Sequence, residues 1–163
     1  MNKKNNVILN AFKNSLIASC QPIPKGPLDT PSFVLASAKA SIIGGAKGLR
    51  IEGFENLRII KKNIKLPIIG IKKRNLKNYP IIITPYLTDI EKLADLGADI
   101  IAFDATKRKR PFSVTQIISK IHSLKKIAMA DCSNLSDANF AIDNGADIVS
   151  TTLSGYTGQR EVP

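Results

Sequence analysis

The chain alternates short apolar runs with amphipathic stretches, and each apolar run closes on a polar residue. The runs end on Gln21 (LIASCQ), Arg50 (AKGLR), Lys73 (LPIIGIKK), Asp104 (DIIAFD), Asp131 (IAMAD) and Thr151/Thr152 (DIVSTT). Near-continuous hydrophobic runs are the pattern of parallel strands buried on both faces. Helical stretches between them imply crossover helices. This reading places strands near 16–21, 47–51, 67–72, 99–104, 126–131 and 147–152, and helices near 32–43, 54–63, 88–96, 114–123 and 135–144. In an α/β barrel the C-terminal ends of all strands meet on one face, where the active site lies. The polar strand ends therefore predict one converging site.

Local signals support the boundaries. Thr30-Pro31 supplies a cap followed by proline at the first helical position. Thr88-x-x-Glu91 and Ser113-x-x-Gln116 have the spacing of a capping box. Gly-Ala recurs at Gly45, Gly97 and Gly145, each time just past a predicted helix and leading into a strand. Repetition at that period fits a barrel of duplicated βαβα pieces. A doubly wound sheet fits less well, because CQPIPKGP after the first strand lacks the G-x-G-x-x-G turn. The segment YPIIITPYLT (79–88) reads as a strand-like piece inside a long βα loop. A (β/α)₈ barrel needs eight strands and typically ~250 residues. The expectation is thus a single domain over residues 1–163 with about six of the eight units, missing the last two.

The 163 residues, 44% hydrophobic and 23% charged, suffice for one domain with a real core. No apolar run reaches the ~18 residues of a membrane-spanning helix. The opening MNKKNNVILNAFKNSLIASC faintly resembles a secretion signal, but Asn10, Lys13 and Asn14 interrupt its apolar core. An amphipathic first helix is the better reading. The net charge of +11 favours anionic partners. Much of that excess is lysine on presumed helix surfaces. The chain has no Trp, and its few aromatics do not alternate with basic residues, which argues against a nucleic-acid stacking platform. Cys20 and Cys132 are too few for a disulfide framework and point to a reducing cytosol.

Several residues can carry chemistry. A solvated lysine has a pKa of ~10.4 and is no base at neutral pH, but burial in a barrel mouth would lower it. Period-two alternation puts Lys73 on the face of Ile69 and Ile71, and Lys72 on the opposite face with Gly70. Asp104 and Asp131 suit hydroxyl binding, orientation of Lys73 or metal binding, or else they cap the helices that follow. No histidine accompanies them, and His122 sits at a predicted helix end, so no catalytic metal is expected. Arg50 suits a phosphate or carboxylate, or an ion pair with Glu52 or Asp104. The cluster Lys107-Arg108-Lys109-Arg110 is a solvated charge run, a nucleic-acid patch or an anion site at the barrel mouth. The hydroxyl-rich TTLSGYT (151–157), including Thr152, can hydrogen-bond a sugar or phosphate.

LIASCQPIPKGPLD, GAKGLRIEG, LPIIGIKKRN, ITPYLTDIEKLADLGADIIAFDATKRKRP, MADCS and GADIVSTTLSGYT together resemble the bacterial N-acetylmannosamine-6-phosphate 2-epimerases, the NanE-type enzymes of sialic acid breakdown. The resemblance covers nearly the whole chain after the first dozen residues. It implies a TIM barrel of the ribulose-phosphate-binding type, in the cytoplasm, acting on a phosphorylated amino sugar without metal, nucleotide or other cofactor. It puts the catalytic lysine on Lys73 and substrate-binding positions on Gln21, Arg50 and Asp131; Thr152 is a further candidate binder, with Asp104 and Arg108 as candidate supports. Lys72 stands where the family usually has an aliphatic residue. The family suggests a homo-oligomer, and neither nucleic acid nor membrane as partner. Family members continue with a strand ending in an Ala-Glu-Gly-Arg type motif, whose Glu is the second catalytic residue. The resemblance therefore implies a chain truncated at its C-terminal side, with little or no turnover by these 163 residues alone. The alternative is an inactive remnant or a sugar-phosphate-binding partial barrel.

Overall fold

The computed structural model describes residues 3–158. Six strands form one sheet: β1 (Ile17–Cys20), β2 (Gly48–Glu52), β3 (Ile68–Ile71), β4 (Ile100–Asp104), β5 (Ile127–Asp131) and β6 (Ile148–Ser150). Six helices alternate with them: α1 (Lys3–Phe12), α2 (Pro31–Ile43), α3 (Phe54–Asn63), α4 (Leu87–Asp95), α5 (Val114–Ser123) and α6 (Leu135–Asp143). Every strand pairs in parallel with its sequence neighbour. Among the described residues, β1 and β6 are the open edges. No described helix is long and apolar enough to cross a membrane.

The strand faces explain the continuous apolar runs. One set of side chains (Leu49, Ile51, Ile68, Ile101, Phe103, Ala128, Ala130) packs beneath the helices, against Val34, Leu57, Ile60, Leu93, Ile117 and Ile121. The alternate set (Ile69, Ile71, Ile100, Ala102, Ile127, Met129) forms a second core on the inside of the curl. The sheet is the wall of an incomplete (β/α) barrel, apolar on both faces. Ile8, Leu9 and Phe12 of α1 pack into the inner core. Lys4 reaches Asp99, just ahead of β4, at 3.0 Å. The expected amphipathic first helix is thus a plug across the N-terminal ends of the strands. Gly48 permits it, because a Cβ there would lie 2.5 Å from the Phe12 ring.

Most helix signals read correctly. Thr30 accepts a hydrogen bond from Phe33 N with Pro31 behind it, and Ser113 and Gln116 form the full capping box. Gly45, Gly97 and Gly145 hold φ of 97°, 92° and 94°, the left-handed stop expected after a helix. The Thr88 capping box does not form. α4 starts earlier, at Leu87 with Tyr86 at its cap, and Asp89 in its first turn takes a bidentate pair from Arg74 at 2.6 and 2.7 Å. Glu91 instead pairs with Lys120. The sixth strand also ends sooner than read, at Ser150, leaving Thr151 and Thr152 in the turn beyond.

The strand-like piece in 79–88 runs back against the end of β3. Arg74 N donates to Ile82 O (2.9 Å), Thr84 N to Lys72 O (2.8 Å) and Asp104 N to Ile83 O (3.1 Å). β3 and β4 share only the pairs Ile69/Ile100 and Gly70/Ile101. Residues 81–84 therefore wedge apart the C-terminal ends of β3 and β4.

Candidate active site

The strand ends converge on one cavity of about 680 Å³. Gln21, Arg50, Lys73, Asp104, Arg108 and Thr152 line it, with Ile17, Ile69 and Met129 as floor and Ile82, Ile83, Leu153 and Tyr156 as wall. Strand register sets the arrangement. Ser19 stands beside Arg50, and Asp104, Asp131 and Ser150 stand side by side across β4, β5 and β6.

Asp131 is fully buried and does not line the cavity; it lies behind Arg50. The two carboxylate oxygens accept from both guanidinium nitrogens at 2.9 and 2.6 Å, and Ser150 donates to the same carboxylate at 2.8 Å. Arg50 thus pairs with Asp131, not with Glu52 or Asp104 as the sequence suggested. A bidentate pair between buried groups fixes the guanidinium plane and leaves its remaining donor edge for a ligand.

Lys72 and Lys73 diverge as period-two alternation requires. Lys72 Nζ pairs with Glu52 at 3.1 Å and lies over the Phe54 ring. Lys73 lines the cavity beside Ile69, and its ammonium makes no salt bridge with any described carboxylate. Lys73 is thus an amine at the cavity that no described carboxylate pairs.

Asp104 neither caps the next helix nor orients Lys73. It anchors the basic loop: Arg108 donates to it at 2.7 Å, Arg110 at 3.3 Å, and the Thr106 hydroxyl at 2.7 Å. Arg110 also donates to the carbonyls of Asp104 and Thr106. Burial draws the Arg110 guanidinium below its ordinary value, with Asp104 opposing the shift. The run 107–110 is therefore not a uniform solvated stretch. Its arginines fold onto Asp104, while Lys107 lies over Phe140 and Lys109 over Tyr79. Among the described residues, no three His, Cys, Asp or Glu side chains gather where they could share a metal. Cys20 and Cys132 are free and buried, and burial pushes the Cys132 thiol up to about 11, so it stays protonated at neutral pH.

Sequence reasoning missed Ser19 and Ser150. Period two would have found the serines, since each sits two residues before a chosen strand-end residue on the same face, Gln21 and Thr152. Gln21 donates to Ser19, and the hydroxyls of Ser150 and Thr152 lie 3.3 Å apart. Tyr156, within the hydroxyl-rich segment 151–157, reaches the cavity from the turn after β6.

A family model described as "Putative N-acetylmannosamine-6-phosphate epimerase" matches residues 34–162. Curated proteins named as the 2-epimerase are similar along the chain. The one from Actinobacillus pleuropneumoniae serotype 5b is 53% identical over 96% of this chain and 68% of its own length. The one from Haemophilus influenzae is 50% identical over 93% of this chain and 66% of its own. The chain thus spans about two thirds of the length of these relatives. The solved N-acetylmannosamine-6-phosphate 2-epimerase from Clostridium perfringens superposes with a TM-score of 0.91 at 38% identity, over 99% of this chain and 70% of that one. The Aeropyrum pernix deoxyribose phosphate aldolase, at 18% identity and a TM-score of 0.60, shares the fold alone.

Proposed function

The chain belongs to the N-acetylmannosamine-6-phosphate epimerase family, and from that membership we propose that it interconverts N-acetylmannosamine 6-phosphate and N-acetylglucosamine 6-phosphate by removing and returning the proton at C2. The supporting observation is that Lys73, paired by no carboxylate among the described residues, faces the same cavity as an Arg50 held rigid by Asp131. In the open-chain sugar, C2 lies next to the C1 aldehyde, so its proton is acidified by a carbonyl already present and no cofactor is needed. Lys73 is the base that takes the proton. The enolate that forms carries its charge on the C1 oxygen, and donors already fixed in place stabilise it without reorganising. Gln21 and Arg50 are those donors. Asp131 acts through Arg50, and the Thr152 hydroxyl binds the sugar. Arg108, held by Asp104, supports the anionic end of the substrate at the mouth. Inversion of C2 then needs a second group, other than Lys73, to deliver a proton to the opposite face of the enolate. The same reading takes the chain as one domain of a cytoplasmic, homo-oligomeric enzyme that uses neither nucleic acid nor membrane.

Exchange of the C2 hydrogen in D₂O, followed by proton NMR, is the direct test, because it needs proton removal but not complete inversion. The expected result is exchange with N-acetylmannosamine 6-phosphate that falls by about 10²–10⁴ in Lys73→Met while the substrate still binds. Undiminished exchange in that variant removes Lys73 from the mechanism. Absence of both exchange and saturable binding by the unsubstituted protein overturns the reading.

A further inference from the structure

Thr84 is a β-branched residue in the left-handed region, at φ 46°, with no exposed surface. That conformation is unusual for such a side chain and persists only where the surroundings enforce it. The surroundings here are the two ends that the wedge separates. Thr84 N donates to Lys72 O at 2.8 Å. The Thr84 hydroxyl accepts from Lys72 N at 3.2 Å and donates to Ala102 O at 2.7 Å. Both backbone groups of Lys72 lie beyond the last β3–β4 pair, and Thr84 satisfies both of them. One residue later, Lys73 N donates to Glu52 at 3.2 Å, and Lys73 stands opposite Ile83 in an antiparallel bridge. Lys73 therefore projects from a peptide held by a threonine clamp and a carboxylate, not by the regular ladder of the sheet.

We propose that Thr84 is a positioning residue that sets the reach of Lys73 into the cavity, a role that rests on the epimerase reading above. Its hydroxyl does what no aliphatic side chain can do, accepting from Lys72 just past β3 and donating to β4 at once. The left-handed backbone turns the 81–84 segment so that Ile83 and Lys73 line the cavity together. The clamp acts on the lysine after substrate is bound, so its loss lowers the proton-transfer rate more than it weakens binding.

The test compares Thr84→Val, which keeps the shape without the hydroxyl, Thr84→Gly, which also relieves the left-handed strain, and Thr84→Ser, which restores the hydroxyl. C2 exchange at saturating substrate is expected to fall about tenfold to a hundredfold in the Val and Gly variants, with KM within about threefold, and to recover in Ser. A second readout needs no turnover. Acylation of Lys73 by a small activated ester, followed by peptide mass spectrometry, should change rate in Val and Gly but not in Ser. Folded Val or Gly variants with wild-type exchange and wild-type acylation overturn the proposal. So does failure of both to fold, which would leave Thr84 a role in the fold alone. Lys73→Met run in parallel separates the two ideas: if it still exchanges, the functional reading has failed, whereas if it is dead and the Thr84 variants are not, only the positioning role has failed.

Discussion

Arg50 and Asp131 lie 81 residues apart in the chain and meet through two short hydrogen bonds with almost no solvent. Removing one member of such a pair leaves the other charge buried and uncompensated, at a cost of about 3–5 kcal/mol. Asp131→Ala should lower stability by that order in urea titrations, and Asp131→Asn, which keeps an acceptor, by visibly less. Equal losses would mean the pair is not what anchors the guanidinium. The neighbouring lysines make the opposite contrast. Lys72 is partly exposed and its pair with Glu52 is of the kind that contributes about 0–1 kcal/mol. Lys72→Met should therefore leave both stability and C2 exchange near wild type, where Lys73→Met removes exchange. Which lysine faces the cavity was readable from the sequence, because the pleat has a period of two. The partner of Arg50 was not. Three carboxylates were within plausible reach, and Asp104 was excluded only because Arg108 and Arg110, close by in the chain, occupy it in the folded protein.

The elements were legible wherever a local rule governs them. The six strands, the first helix, the Thr30 and Ser113 caps and the three left-handed glycines all follow from spacing and composition. The start of α4 was not, because a contact across the loop overrode the local signal. Arg74 draws Asp89 into the first turn, and the Thr88 hydroxyl is left inside the helix rather than at its cap. The wedge was visible as an apolar run, but its pairing with Lys72 and Asp104 was not, since nothing in the run specifies a register. The α1 plug offers a sharp test of packing between elements. Gly48→Ala forces its Cβ into the Phe12 ring, and overpacking of a tight core costs about 1–3 kcal/mol. Thermal melts should show that loss, and a shortened ring partner, Phe12→Leu, should recover part of it. Additive losses in the double variant would mean the two residues do not press on each other.

At the scale of the whole molecule, Asp99 ties three elements together: Lys4 of α1, Lys61 of α3 and the backbone N–H of Ile68 in β3. Burial pushes its carboxyl up, but the hydrogen bonds from Lys61 and Lys4 outweigh burial and hold it below the ordinary value. A carboxyl depressed in the folded state adds stability that is fully present above its unfolded value of about 3.9 and is lost as pH falls through the folded one. The melting temperature should therefore drop on acidification below about pH 4, more steeply in the wild type than in Asp99→Asn. Parallel curves would show that Asp99 does not drive the effect. Only eight of the 24 Lys and Arg residues fall within the helices, so the basic excess expected on helix surfaces lies mostly in the connecting segments. The strand order carries a different consequence. Each strand's partner is the one made just before it, with one helix between them. Such a sheet can be laid down in the order of synthesis, unit upon unit, with no strand held waiting at the ribosome for a distant mate. The loop closed at each step stays between 15 and 28 residues with no trend along the chain, so the entropic toll of assembly does not climb as the wall lengthens.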